Sequence, residues 1–189
     1  MYCVKSACRV EEEIKKSRFI GVLLPCADED EVTGQLKKLH TEHPNASHIC
    51  YAYRIKTQHG INYRFYDAGE PSGSAGKPIF HHLDGKQLIN LLVVVVRYFG
   101  GIKLGTGGLA RAYGNVAKAV IESAEILPFI EQAQLNLRLD YQQLSTLEYA
   151  LKKWDGQILS QEFAAQVQVV VQLPKQHAEI LLKSFPNNY

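Results

Sequence analysis

The sequence predicts an α+β protein of two domains, and three observations carry that prediction. The run Leu91-Leu92-Val93-Val94-Val95-Val96 is unbroken, apolar and too short for a helix, so it reads as a central strand covered on both faces. Around it, strand and helix patterns interleave without strict alternation up to Pro128, which argues for one mixed sheet with helices packed on it. After Pro128 the order is strand-helix-strand-strand-helix, a ferredoxin-like unit lacking its last strand. The expected domains are therefore residues 1–130 and residues 131–189, the second shortened at its C-terminus.

Taken in order, the chain opens with a strand around Tyr2–Val10, followed by a better one at Arg18–Leu24. Asp28 and Glu31 have the spacing of a capping box. Val32, Leu36, Leu39 and His40 then form one helical face that ends before Pro44. His48–Lys56 alternates, with Ile49, Tyr51 and Tyr53 on one side and Cys50, Ala52 and Arg54 on the other, and Tyr63–Tyr66 is its partner across a turn near Gly60. Residues 67–78 are turn-rich and lead into a short helix over Pro78–Leu83. The strand at Leu88–Tyr98 follows, then a helix from Thr106 to about Ala124, with Thr106 as its N-cap. In the second domain, Leu135, Leu137 and Leu139 mark a strand, and Leu144, Leu147, Leu151 and Trp154 a helix. Gln157–Ser160 and Val167–Val171 give two further strands, and Pro174 opens a last helix carrying Ile180 and Leu181. The final residues, Pro186 to Tyr189, leave no room for a fourth strand, so a sheet edge is expected to stay open to a protein partner or a second copy.

The 189 residues are 46% hydrophobic and 21% charged, an ordinary globular balance, and the net charge of +2 places any basic surface locally. The four cysteines form no C-x-x-C pair and no secretory signal precedes them, which points to reduced thiols in the cytoplasm. The greasiest window, Leu88 to Val96, is about half a membrane span, so no membrane is expected.

Chemistry concentrates in Arg97-Tyr98-Phe99-Gly100-Gly101-Ile102-Lys103-Leu104-Gly105-Thr106-Gly107-Gly108-Leu109-Ala110-Arg111, a double-glycine turn between strand and helix. Glycines allow backbone approaches that a side chain forbids, and amides at a helix N-terminus favour an anion. Arg97, Lys103 and Arg111 add fixed charge. Other chemistries fit less well. No G-x-x-x-x-G-K-[ST] occurs, so a P-loop is excluded. Gly105 to Ala110 fits G-x-G-x-x-A, but the acid twenty residues on, Glu125, falls at a helix end and not at the end of a second strand. Ser72 and Ser74 lack a nucleophile-elbow frame, and His48 with Cys50 reads as structural. Asp67, Glu70, His81, His82 and Asp84 read as a solvated face; no metal, cofactor or catalytic residue is assigned.

The glycine-rich stretch resembles the signature of the IMPACT family, and three other stretches match the same pattern. These are Lys16–Ile20, Ala46–Arg54 and Asp67–Ile79. Two departures are visible: Ala68 stands where a second aspartate is usual, and Ser74 replaces the usual threonine. The resemblance, to a bacterial member, implies an N-terminal domain similar to the second domain of ribosomal protein S5 and a ferredoxin-like C-terminal domain. Both are similar to the last two domains of the translocation factor EF-G, which touch the ribosome. Eukaryotic relatives regulate translation through a protein partner, with an extra N-terminal domain that has no counterpart in this sequence.

The functional expectation is a non-enzymatic protein, a monomer or weak homodimer, that binds RNA or the ribosome and influences translation. Its phosphate contacts would be Arg97, Gly100, Gly101, Lys103, Gly105, Thr106, Gly107, Gly108 and Arg111, with Arg54 and Lys77. The alternative is an enzyme or sensor holding a phosphorylated ligand or nucleotide between the glycine turn and Asp67, Glu70, Ser72 and Ser74.

Overall fold

The computed structural model describes residues 1–185, and chain contacts divide them after Phe129 into two compact units. The first unit is built on a five-stranded sheet. Its strands are β2 (Cys8–Ile14), β3 (Ser17–Pro25), β4 (His48–Thr57), β5 (Gly60–Tyr66) and β6 (Leu91–Tyr98), in the order β2-β3-β6-β4-β5 and paired antiparallel throughout. The apolar run is the middle strand, and all six of its residues have no exposed surface. A strand with neighbours on both sides and cover on both faces tolerates nothing but apolar side chains, and so the sequence lacks alternation there.

Alternation does exist one strand over, and it sorts the two cores. From β4, Cys50 and Ala52 enter a cluster with Val93, Val95 and Tyr113, under helices α2 (Gly76–Gly85) and α3 (Thr106–Glu122). Ile49, Tyr53 and Ile55 enter the other, with Val94 and Val96, under helix α1 (Glu29–Glu42). Helix α1 begins as its sequence predicts, with Asp28 accepting from the Glu31 amide at 2.8 Å. The Glu31 carboxylate takes the amide of Ala27 at 2.8 Å instead of that of Asp28, so the box closes one residue early.

Three boundaries differ from expectation. The opening strand is two: β1 (Tyr2–Val4) leaves the sheet and pairs with β7 (Ile126–Pro128), while β2 begins at Cys8. The stretch around Pro128 is therefore strand before it is a break, because it closes a ribbon with the first residues. The N-cap of α3 is Gly105, at φ 73°, and Thr106 is the first helical residue.

The second unit has a three-stranded antiparallel sheet of β8 (Gln132–Leu139), β9 (Gln157–Phe163) and β10 (Val167–Pro174), in the order β8-β10-β9. Helices α4 (Leu144–Lys153) and α5 (Ala178–Ser184) complete it, and Leu137, Leu139, Leu147, Val167, Val169, Val171 and Leu181 form its core. This is the ferredoxin-like order without a fourth strand, and among the described residues the outer edge of β8 has no strand partner. The expected stop before that strand falls on residues 186–189, outside the described residues.

At the C-terminal end of α1, His43 joins Arg9 and Tyr98. His43 accepts from Arg9 at 3.2 Å through Nε2, since a guanidinium only donates, so its Nδ1–H donates to the Tyr98 hydroxyl at 2.8 Å. Burial and the Arg9 charge push this ring below its ordinary 6.5, and a proton on Nε2 would lose the Arg9 bond. A depressed folded-state value means stability is complete above pH 6.5 and is lost as pH falls below it. Urea melts from pH 8 to pH 5 should show that decline, and His43→Gln should make it shallower.

Candidate functional site

The first site residue fixed by the fold is Glu70, and its carboxylate is 4% exposed. Its Oε1 accepts from Arg97 Nη1 at 2.7 Å and from the Tyr113 hydroxyl at 2.7 Å. The three partners come from the loop after β5, the end of β6 and the second turn of α3, so this one carboxylate ties all three together. Arg97 lies between the rings of Phe19 and Phe99, at 5.5 and 5.4 Å, and its Nη2 reaches Ser17 Oγ at 3.4 Å. Burial pushes the Tyr113 hydroxyl far above its ordinary value, which keeps it a donor to Glu70.

The loop of residues 67–76 is held by Asp67, whose carboxylate accepts from the amides of Gly73, Ala75 and Gly76 at 2.9, 3.0 and 2.8 Å. Three backbone bonds engage both of its oxygens, so Asp67 shapes the loop. Ser74 is likewise internal, donating to the Pro71 carbonyl at 2.6 Å, whereas Ser72 is exposed. Ala68 sits at φ 49°, a conformation that an aspartate at this position tolerates better. Its carbonyl accepts from His48 Nδ1 at 2.9 Å, and the Asp67 carbonyl accepts from Cys50 Sγ at 3.0 Å. Burial raises the Cys50 thiol to about 12, so it is no nucleophile near neutral pH.

The glycine turn divides into two kinds of glycine. A Cβ on Gly100 would stand 1.9 Å from the Lys16 carbonyl oxygen, and Gly105 carries the positive φ that starts α3, so both are required by the chain itself. The Gly100 amide is satisfied by Ser17 Oγ at 3.2 Å. Gly107 is different: a side chain there would meet nothing within 4 Å, and its φ is ordinary. No side chain caps α3, and Gly105, Thr106 and Gly107 are exposed, leaving the first-turn amides open to an acceptor.

One recess lies at this helix start and a second lies further along α3, against α2. The first, of about 350 Å³, is lined by His48, Glu70, Pro71, Arg97, Phe99, Lys103, Leu104, Gly105, Thr106 and Leu109. The other, of about 570 Å³, is lined by Gly73, Lys77, Pro78, His81, His82, Ala110, Arg111, Gly114 and Asn115. Lys103 and Arg111, grouped by sequence, thus serve different recesses. The second carries Lys77 and Arg111, and burial first, then Lys118, Lys86 and His81, pushes His82 below its ordinary value. Arg97 is not a surface cation but a buried one paired to an acid, and Arg54 is elsewhere. The Arg54 guanidinium donates to the carbonyls of Leu83 and Leu88 at 3.2 Å and pairs with Asp84, where it holds the end of α2. Among the described residues no group of three histidines, cysteines or acids is placed to hold a metal ion. His48 reads as structural beside Cys50, and Phe99 lies within the glycine-rich stretch without being among the expected phosphate contacts; the fold brings both to the first recess.

A family model described as the Impact N-terminal domain matches residues 15–121. The chain is also 41% identical to an IMPACT family member of Haemophilus influenzae, over 93% of this chain and 85% of that one. The chain belongs to the IMPACT family. A domain of unknown function (DUF1949) matches residues 137–184, within the second unit. The family member YigZ of Escherichia coli is 37% identical over 87% of this chain and 81% of its own. A crystal structure described as that of a hypothetical protein aligns with a TM-score of 0.72 and 33% identity, over 97% of this chain and 89% of that one.

Removing one member of a buried ion pair leaves the other charge uncompensated, at a cost of about 3–5 kcal/mol. Glu70→Ala should lose stability on that scale in urea melts, whereas the double change Glu70→Leu with Arg97→Met should recover most of it. A loss under about 1 kcal/mol in the single variant, the scale of an exposed pair, would contradict the role given to Glu70.

Proposed function

We propose that this protein binds RNA, free or on the ribosome, without catalysing a reaction, and thereby regulates translation in the cytoplasm. The observation that carries the reading is the uncapped start of α3 beside a recess with Lys103, together with a second recess further along the same helix that holds Lys77 and Arg111. Helix amides and flexible cations suit phosphate oxygens, which position a strand without reading its sequence. Exposed Phe99 adds a ring on which an unpaired base can stack. The similarity to ribosome-contacting domains of EF-G adds a fold-level argument only. The open edge of β8 offers a second contact surface for a protein partner.

A second reading, an enzyme or sensor for a phosphorylated small molecule, is favoured by the size of the first recess, which lies at the lower end of ligand pockets. A salt titration with a single-stranded RNA oligomer separates the two. For single strands the logarithmic slope is about −0.7 per phosphate neutralised, so Lys77→Ala with Arg111→Ala should flatten it by about 1.4 while weakening binding. Absence of RNA binding at low salt, with a nucleotide raising the melting temperature, would establish the second reading instead.

A further inference from the structure

The two recesses differ in what they can hold. The groove of Lys77 and Arg111 is wide and lined by cations and histidines, suited to a passing strand. The recess at Thr106 is about 350 Å³, at the lower end of the ~300 to 1,000 Å³ of ligand pockets and of a size for a single small ligand. We propose that this smaller recess seats the terminal phosphate monoester of a nucleotide, with its base against Phe99; the proposal rests on the reading that the protein binds RNA.

Four features converge on that chemistry. The start of α3 presents uncapped amides and the positive end of the helix dipole, with the Thr106 hydroxyl and exposed Lys103 beside them. Arg97 lines the recess at 4% exposure, and its buried Nε has no hydrogen-bond partner, a donor that an incoming oxygen can satisfy. His48 also lines it, oriented by the bond from its Nδ1 to the Ala68 carbonyl, which leaves Nε2 to the other side, 3.8 Å from Glu70. Phe99 rests on the Arg97 guanidinium yet is 48% exposed, leaving ring surface for a base.

Charge selects a terminal phosphate over an internal one. Glu70 is matched by Arg97, so the remaining fixed charges are Lys103 and the helix end. A monoester carries about −1.5 to −2 at neutral pH, an internal diester only one.

The test is fluorescence anisotropy with 3′-labelled trinucleotide RNA, 5′-phosphorylated or 5′-hydroxyl, and with a 5′-labelled, 3′-phosphorylated form. AMP and inorganic phosphate serve as competitors. A phosphorylated end should bind about tenfold more tightly than the hydroxyl form, as two charge-assisted bonds allow. Lys103→Ala and Phe99→Ala, both at exposed positions, should erase that preference, while Lys77→Ala weakens all the RNAs equally. Competition by AMP without any preference among the RNAs would identify the occupant as a free nucleotide and still support the seat. Equal affinity of all three RNAs without AMP competition overturns the seat and leaves RNA binding standing. No binding of any RNA or of AMP overturns both.

Discussion

A single buried carboxylate holds the working face of the first unit together. Glu70 takes the Arg97 guanidinium and the Tyr113 hydroxyl on one oxygen, in a setting with almost no solvent. A charge pair taken out of water gains little net stability compared with apolar packing, but it punishes any rearrangement that separates the partners. Its value is therefore in position. The central strand, the loop after β5 and the long helix cannot shift independently while that pair is closed.

Everything around the α3 start inherits this constraint. Asp67 shapes the loop that delivers Glu70, and the close pass of Gly100 over the Lys16 carbonyl lets the chain leave β6 without swinging wide. Gly105 then turns it into the helix. The result is a frame from which the uncapped first-turn amides face outward beside exposed Lys103. Groups that are fixed surround groups that are free, which is the arrangement a binding site needs.

The fold was largely legible because its strongest signals are local. A run of six apolar residues, the alternation of β4 and the spacing of Leu144, Leu147 and Leu151 each encode burial through period alone. The opening strand was misjudged because its partner, β7, lies more than a hundred residues away, and nothing local announces that pairing. The site was half legible. The glycine pattern located the helix start, and of the charges read with it Lys103 lies beside that start. Which cations are free was not readable: Arg54 and Arg97 look like Lys77 and Arg111 in a sequence, and only burial and an acid neighbour separate them. His48 was similarly hidden, since its orientation depends on a backbone carbonyl twenty residues away.

The account turns on the amides at the start of α3 being available to an anion. Amide proton and nitrogen shifts recorded while a nucleoside monophosphate is added measure this most directly. Saturable movement of the Thr106, Gly107 and Gly108 signals, larger than elsewhere in the first unit, is the predicted result. Signals there that stay fixed while others move would place the anion elsewhere and contradict the account.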